Sequence, residues 1–148
     1  MRNAGSEPAA GRLARLAGPS DALFVYGTLQ FPEVLVELIG RCPASVPAQV
    51  PGWRVAALPG RIYPGLVPDP DTVARGVVLS GLDAGEWAVL DGFEDDEYDL
   101  RLIHPGGERA WTYVWTAEVT SHDWHPSEFA ATHLPAFAAR CGRWRPTA

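Results

Sequence analysis

Proline and glycine decide most of what this chain can fold into. The separators PG, LPG, YPG and PDPD cut its middle at short intervals, and fourteen prolines with fifteen glycines in 148 residues disfavour a bundle of long helices. A ring-locked φ and a missing amide end a helix within a turn, so the elements must be short and the turns many. A chain of this length, 47% hydrophobic and 20% charged, buries one sizeable core and has little room for a second.

Residues 1–20 are rich in Ala, Gly, Arg and Pro, with Leu13 and Leu16 as their bulky apolar residues, and are expected to be a flexible leader. Residues 21–148 then form a single domain. Its first strand is Leu23 to Tyr26, followed by a short helix from Pro32 to about Ile39, with Val34, Leu35, Leu38 and Ile39 on its apolar face and Gly40 as its stop. Strands are expected at Ala48 to Leu58, near Ile62 and Tyr63, and at Ala74 to Leu79, divided by the turn separators.

Asp83 and Glu86 make a capping box for a helix of about two turns, Ala84 to Asp91. Strands around Tyr98 to Ile103 and Arg109 to Thr116 flank HPGGE as a hairpin. In SEFAATHLPAFAARCG, Phe129, Leu134 and Phe137 share a helical face, Pro135 imposes a kink or two consecutive helices, and Gly142 is the expected stop. The order β-α-β-β-β-α-β-β-α does not alternate as a doubly wound parallel sheet would. It predicts an α+β fold, a small mixed and curved β-sheet or barrel with short peripheral helices.

Two stretches carry candidate chemistry. In LFVYGTLQ a buried strand stops at Tyr26 and a helix begins at Pro32, so the amides of Gly27, Thr28 and Leu29 lie in a tight turn near a helix start, where unpaired donors favour an anion. The same turn also reads as a plain tight connection capped by Thr28. In LDGFEDDEYD, six carboxylates fall within ten residues. A solvated acidic loop accounts for Asp95, Asp96, Glu97 and Asp99. Glu94 differs because it follows Phe93 and the apolar face of Trp87 and Leu90, which would draw it inward and raise its proton affinity, as a general acid or base requires.

Other chemistries find no pattern. The net charge of −6, with scattered arginines, argues against nucleic acid. The chain has no run of 18 apolar residues and its N-terminus has no apolar signal core, which predicts a cytoplasmic protein with no membrane contact. The acidic loop does not match a calcium-loop spacing, and SHDWHP reads as a polar turn rather than a zinc site, so no metal is expected. Cys42 and Cys141 read as reduced packing thiols, and GxSxG, P-loop and GxGxxG patterns are absent.

Together, VYGTL followed some 65 residues later by LDGFEDDEY resembles the gamma-glutamylcyclotransferase-like family, in the YGTL branch that includes gamma-glutamylamine cyclotransferases and plant avirulence-induced-gene-like proteins. The resemblance runs from about Phe24 to Arg140. It implies a small β-barrel with peripheral helices, and a cofactor-independent cyclisation of a gamma-glutamyl amide or amine to 5-oxoproline. Glu94 falls on the family's catalytic glutamate. Tyr26, Gly27, Thr28 and Leu29 fall on the turn that holds the substrate's carboxylate end, and Tyr98 on a tyrosine four positions past the glutamate. The leaving-group side is expected to be shaped by RIYPGLVPD and the aromatic residues near Tyr98 and Trp115, where Tyr63 reads either as a stacking or hydrogen-bonding contact of the departing group or as a turn tyrosine packed on the barrel mouth. Two positions depart from the pattern: Asp95 stands where glycine is common and Leu100 where arginine is common. The expected partner is a small gamma-glutamyl substrate, in a monomer or homodimer. A non-catalytic binder of an amino-acid derivative, or a hydrolase of a gamma-glutamylated metabolite, stays open beside the cyclotransferase.

Overall fold

The computed structural model describes residues 10–16 and 21–144. Its elements are α1 (Ala10–Leu13), β1 (Leu23–Val25), α2 (Pro32–Ile39), β2 (Ala44–Ala57), β3 (Pro64–Ser80), α3 (Ala84–Phe93), β4 (Tyr98–Ile103), β5 (Ala110–Trp115), α4 (Pro126–Thr132) and α5 (Leu134–Trp144), with 3-10 turns at Thr28–Gln30 and Pro105–Gly107. The five strands form one mixed sheet in the order β2-β3-β1-β5-β4. Only β1 with β5, and β3 with β5, run parallel. The α+β class is as the sequence predicts. Of the two expected forms the curved sheet is the one found and the barrel is not: the sheet is open, with β2 and β4 as its two edges.

Alternation along the central strands sorts the core into two faces. Leu23 and Val25 of β1 and Trp111, Tyr113 and Trp115 of β5 meet the helices, whose Leu35, Leu38, Leu90, Phe129 and Phe137 complete the larger cluster. Phe24, Tyr26 and Val114 point the other way, into a smaller cluster with Val50, Leu66 and Ala74 from the β2–β3 hairpin. Every residue of β5 is buried, as a strand covered on both faces must be.

The PDPD segment does not end a strand. Pro51 pairs with Val73 while Trp53 pairs with Pro68, so Asp69 to Thr72 swell out of β3 opposite Gly52 and the strand continues past them. The Asp71 amide donates to Asp69 Oδ1 at 3.0 Å and Thr72 Oγ1 donates to the Trp53 carbonyl at 2.7 Å, which gives the bulge its own hydrogen bonds. The turn chemistry was legible; cross-strand pairing absorbed it into a longer strand. Ile62 and Tyr63 form no strand but a bend leading into β3. The C-terminal helix divides as expected, with the break at His133, Pro135 in the first turn of α5, and Gly142 inside the helix rather than ending it. Of the two cysteines, Cys141 is buried in the core, whereas Cys42 is exposed.

Within the expected leader, residues 10–16 are described, and they are docked rather than free. Leu13 and Leu16 pack against the main cluster and the side chain of Arg12 is 6% exposed. The sparse apolar content of the segment is supplemented by an arginine that finds buried acceptors. The remainder of that segment lies outside the described residues.

Close approach fixes Gly76 in the sheet. A Cβ on Gly76 would overlap the Val25 carbonyl oxygen, which belongs to the middle of the sheet and cannot give way. Gly76→Ala is therefore expected to lower stability by about 1–3 kcal/mol, read from urea unfolding.

Candidate active site

β1 is three residues long and lies between two longer strands. Beyond Val25 the chain has to leave the sheet, and β3 closes behind it by pairing Leu66 with Val114 of β5. A crevice opens at the carboxyl end of β1, the position at which mixed sheets commonly bind small ligands. Tyr26, Gly27, Thr28 and Leu29 form its floor and are all buried. Among the described residues, the amides of Gly27, Thr28 and Leu29 donate none of the turn and loop hydrogen bonds. Gly27 allows a close approach, though to protein: a Cβ there would come within 2.8 Å of Pro64 Cγ.

The opposite wall comes from the end of α3. The helix starts in the predicted capping box, with the Glu86 amide donating to Asp83 Oδ1 at 2.7 Å and the Asp83 amide to Glu86 Oε1 at 3.0 Å. It stops at Phe93, and Glu94 is the first residue past it, extended at φ −77, ψ 141. That change of direction takes Glu94 off the helix surface and into the crevice. One narrow cleft, with about 40 Å³ of water-accessible space, is lined by Tyr26 to Leu29, Tyr63, Pro64, Glu94, Asp95, Tyr98 and Tyr113. That is room for about three waters, enough to grip the slender head of a ligand and leave the rest to project outward.

Glu94 is partly buried and lines this cleft. Burial pushes its proton affinity up, to a pKa of about 8, against the pull of Arg12 and with added repulsion from Asp95 and Asp91. Its position at a helix C-terminus works in the same direction, since the macrodipole disfavours negative charge there. The surrounding tyrosines do not relieve it, because their hydroxyls are spent elsewhere. Tyr26 donates to the Tyr113 carbonyl at 2.6 Å, Tyr113 to Asp91 Oδ1 at 2.8 Å, Tyr98 to the Pro64 carbonyl and Tyr63 to Asp95 Oδ2. Burial above all, with the negative charge of Glu94 among the lesser causes, holds Tyr26, Tyr98 and Tyr113 well above the usual phenol value.

The structure thus brings together every site residue expected from the sequence: Glu94, Tyr26, Gly27, Thr28, Leu29, Tyr63 and Tyr98. Trp115 does not join them; it is buried behind Tyr98 at a ring distance of 4.9 Å. Of RIYPGLVPD, only Tyr63 and Pro64 reach the cleft. Asp95 is not the solvated acid it was read as, since it accepts from Tyr63 on the cleft wall. Leu100 is fully buried, and Arg101 beside it is exposed and pairs with Asp99 at 3.0 Å.

Asp91, Tyr113 and Arg12 were missed. Asp91 is 0% exposed and is held by Tyr113 and by Arg12, whose Nε lies 3.0 Å from Asp91 Oδ1. Burial lifts its carboxyl above the ordinary value while these two partners oppose the rise. Its position was readable, because Asp91 follows Trp87 by four and so shares the buried face of α3. Among the described residues, no cluster of His, Cys, Asp and Glu could hold a metal ion, and no helix is long and apolar enough to cross a membrane.

Residues 23–128 match the family model described as gamma-glutamyl cyclotransferase, AIG2-like, and the chain belongs to that family. Among curated relatives in Arabidopsis thaliana, AIG2-like protein C is 44% identical over 99 residues, 63% of this chain and 58% of the relative, so the chain spans less than two thirds of that protein. AIG2-like protein D is 32% identical over 78% of this chain and 83% of its own length. A solution structure from the same plant superposes with a TM-score of 0.64 at 29% identity, covering 84% of this chain and 90% of that one. A structure titled gamma-glutamyl cyclotransferase superposes with a TM-score of 0.52 at 14% identity, covering 86% and 89%, and shares the fold.

A carboxyl with a proton affinity raised by folding holds its proton more tightly folded than unfolded. Its stabilising contribution is complete below pH about 4.5 and is lost as pH rises through about 8. Urea midpoints of the native protein should therefore fall across this window more steeply than those of Glu94→Gln.

Proposed function

We propose that the protein is a gamma-glutamyl cyclotransferase that closes a gamma-glutamyl amide or amine to 5-oxoproline and releases the free amine. The observation that carries this reading is the single cleft joining the desolvated Glu94 carboxyl to the amide-lined turn at Gly27 to Leu29. Family membership makes the reaction class the first to consider.

The chemistry asks little more of the protein than these two features. The substrate's α-amine attacks its own γ-carbonyl carbon, the new C–N bond closes a five-membered ring, and the old C–N bond breaks to expel the amine. Because both reacting groups lie on one short chain, holding them in contact can supply several of the ~7–11 kcal/mol available to intramolecular orientation. A narrow cleft restricts the chain to such a conformer. Glu94 takes the proton that the α-ammonium must lose and returns it to the departing nitrogen; a carboxyl with a pKa near 8 can do both near neutral pH. The turn amides serve the substrate carboxylate or the tetrahedral oxyanion, where one well-aimed donor contributes about 3–4 kcal/mol. Tyr63 and Asp95 also line the cleft, and in this reading they would contact the leaving group.

Incubation with gamma-glutamyl dipeptides, gamma-glutamylamines and epsilon-(gamma-glutamyl)lysine, followed by mass spectrometry, tests the reading. 5-Oxoproline is expected; glutamate would instead mean hydrolysis, and binding without either product a receptor. Glu94→Gln should keep the fold and lose turnover by about two to four orders of magnitude. In the native enzyme kcat/KM should climb as pH rises through about 8, because the base works ionised.

A further inference from the structure

Arg12 lies outside residues 23–128 that match the family, yet its side chain is buried at 6% exposure. An arginine is almost never buried without partners, and this one has several. Nη1 donates to the carbonyls of Asp95 at 2.9 Å and Tyr98 at 3.0 Å. Nη2 donates to the Asp91 carbonyl at 2.9 Å and to Asp91 Oδ2 at 3.4 Å. The guanidinium carbon sits 5.5 Å from the centre of the Tyr113 ring. The three carbonyls bracket Glu94 on both sides, so one planar group ties the last turn of α3 to the start of β4 across the loop that carries the cleft's carboxyl.

A second arginine anchors the same segment. Arg15 Nη1 donates to Asp99 Oδ1 at 2.7 Å and to the Leu100 carbonyl at 2.5 Å, while Leu13 and Leu16 pack on the core. Residues 10–16 therefore run as a strap along α3 and β4. The charged and titratable groups facing Glu94 are Arg12 from the strap, Asp91 from α3, Asp95 from the loop, and Tyr26, Tyr63, Tyr98 and Tyr113 from the other walls. Among the described residues of that set, Arg12 is the cation.

We propose that Arg12 is a positioning residue: it clamps the Asp91–Tyr98 segment, holds Glu94 in the cleft, and supplies the positive charge that counters the two neighbouring aspartates. The assignment rests on Glu94 being the acid/base group of the proposed reaction. The clamp itself is open to measurement without any substrate.

The test uses glutamate-selective 13C labelling, with Glu94→Gln to assign the Glu94 carboxyl resonance, and amide hydrogen exchange over Asp95–Tyr98. In Arg12→Gln the Glu94 titration midpoint should rise by about one unit, loop exchange should accelerate, and kcat should fall about tenfold or more with KM little changed. Arg12→Lys keeps the charge but loses the fork, so its midpoint should stay nearer the native value while loop exchange still accelerates. If the glutamine variant does not fold, the lysine variant decides: native loop exchange and native kcat in it would overturn the clamp. A native Glu94 midpoint in folded Arg12→Gln would overturn the electrostatic role. Titration and exchange are read on the free protein, so absence of turnover on gamma-glutamyl substrates would sink the proposed reaction and leave the clamp to stand or fall separately.

Discussion

A partly buried carboxyl beside the end of a helix is the constraint around which this molecule is arranged. Glu94 pays for its place in desolvation, in repulsion from Asp91 and Asp95, and in an unfavourable position on the α3 dipole. None of the four tyrosine hydroxyls lining its cleft offsets this, because each donates to another acceptor. Among the described residues, what opposes it is Arg12, reaching in from an earlier part of the chain. Such a group is poorly placed for stability and well placed to exchange a proton with a ligand.

The cleft exists because the strands are unequal. β1 ends after Val25, while its neighbours β3 and β5 run on and pair behind it. The chain must turn out of the sheet where its amides lack ladder partners, and Pro64 presses the turn so closely that residue 27 has no room for a side chain. The open edges at β2 and β4 follow from the same topology. The long β2–β3 hairpin folds over the second face of the sheet and fills the smaller core, while among the described residues no strand pairing joins β2 to β4.

Local chemistry reads well wherever the partners of a residue lie within a few positions. The Asp83–Glu86 box, the stop of α2 at Gly40 and the β4–β5 hairpin each depend on neighbours in sequence, and each formed as expected. Errors gathered where distant partners intervene. PDPD carries turn chemistry, and β2, some twenty residues earlier, enrolled it as a bulge. Asp95 reads as a surface acid until Tyr63, 32 positions away, donates to it. Leu13 and Leu16 look too sparse to order their segment, and no local pattern shows that Arg12 has acceptors 79 to 86 residues away.

By itself the sequence determined the fold class, the family, and the two segments with chemistry to offer. The spacing of apolar residues, the turn formers, and a carboxylate set directly behind an aromatic helix end are local facts that survive without coordinates. Tertiary structure alone decided that the two segments face one cleft, that Asp91 is buried with them, and that a residue before the first strand completes their surroundings. The reason is the range of the forces involved. Desolvation and buried charge pairing depend on what lies within a few ångströms, and only the folded sheet brings residues 12, 26, 63, 94 and 113 that near.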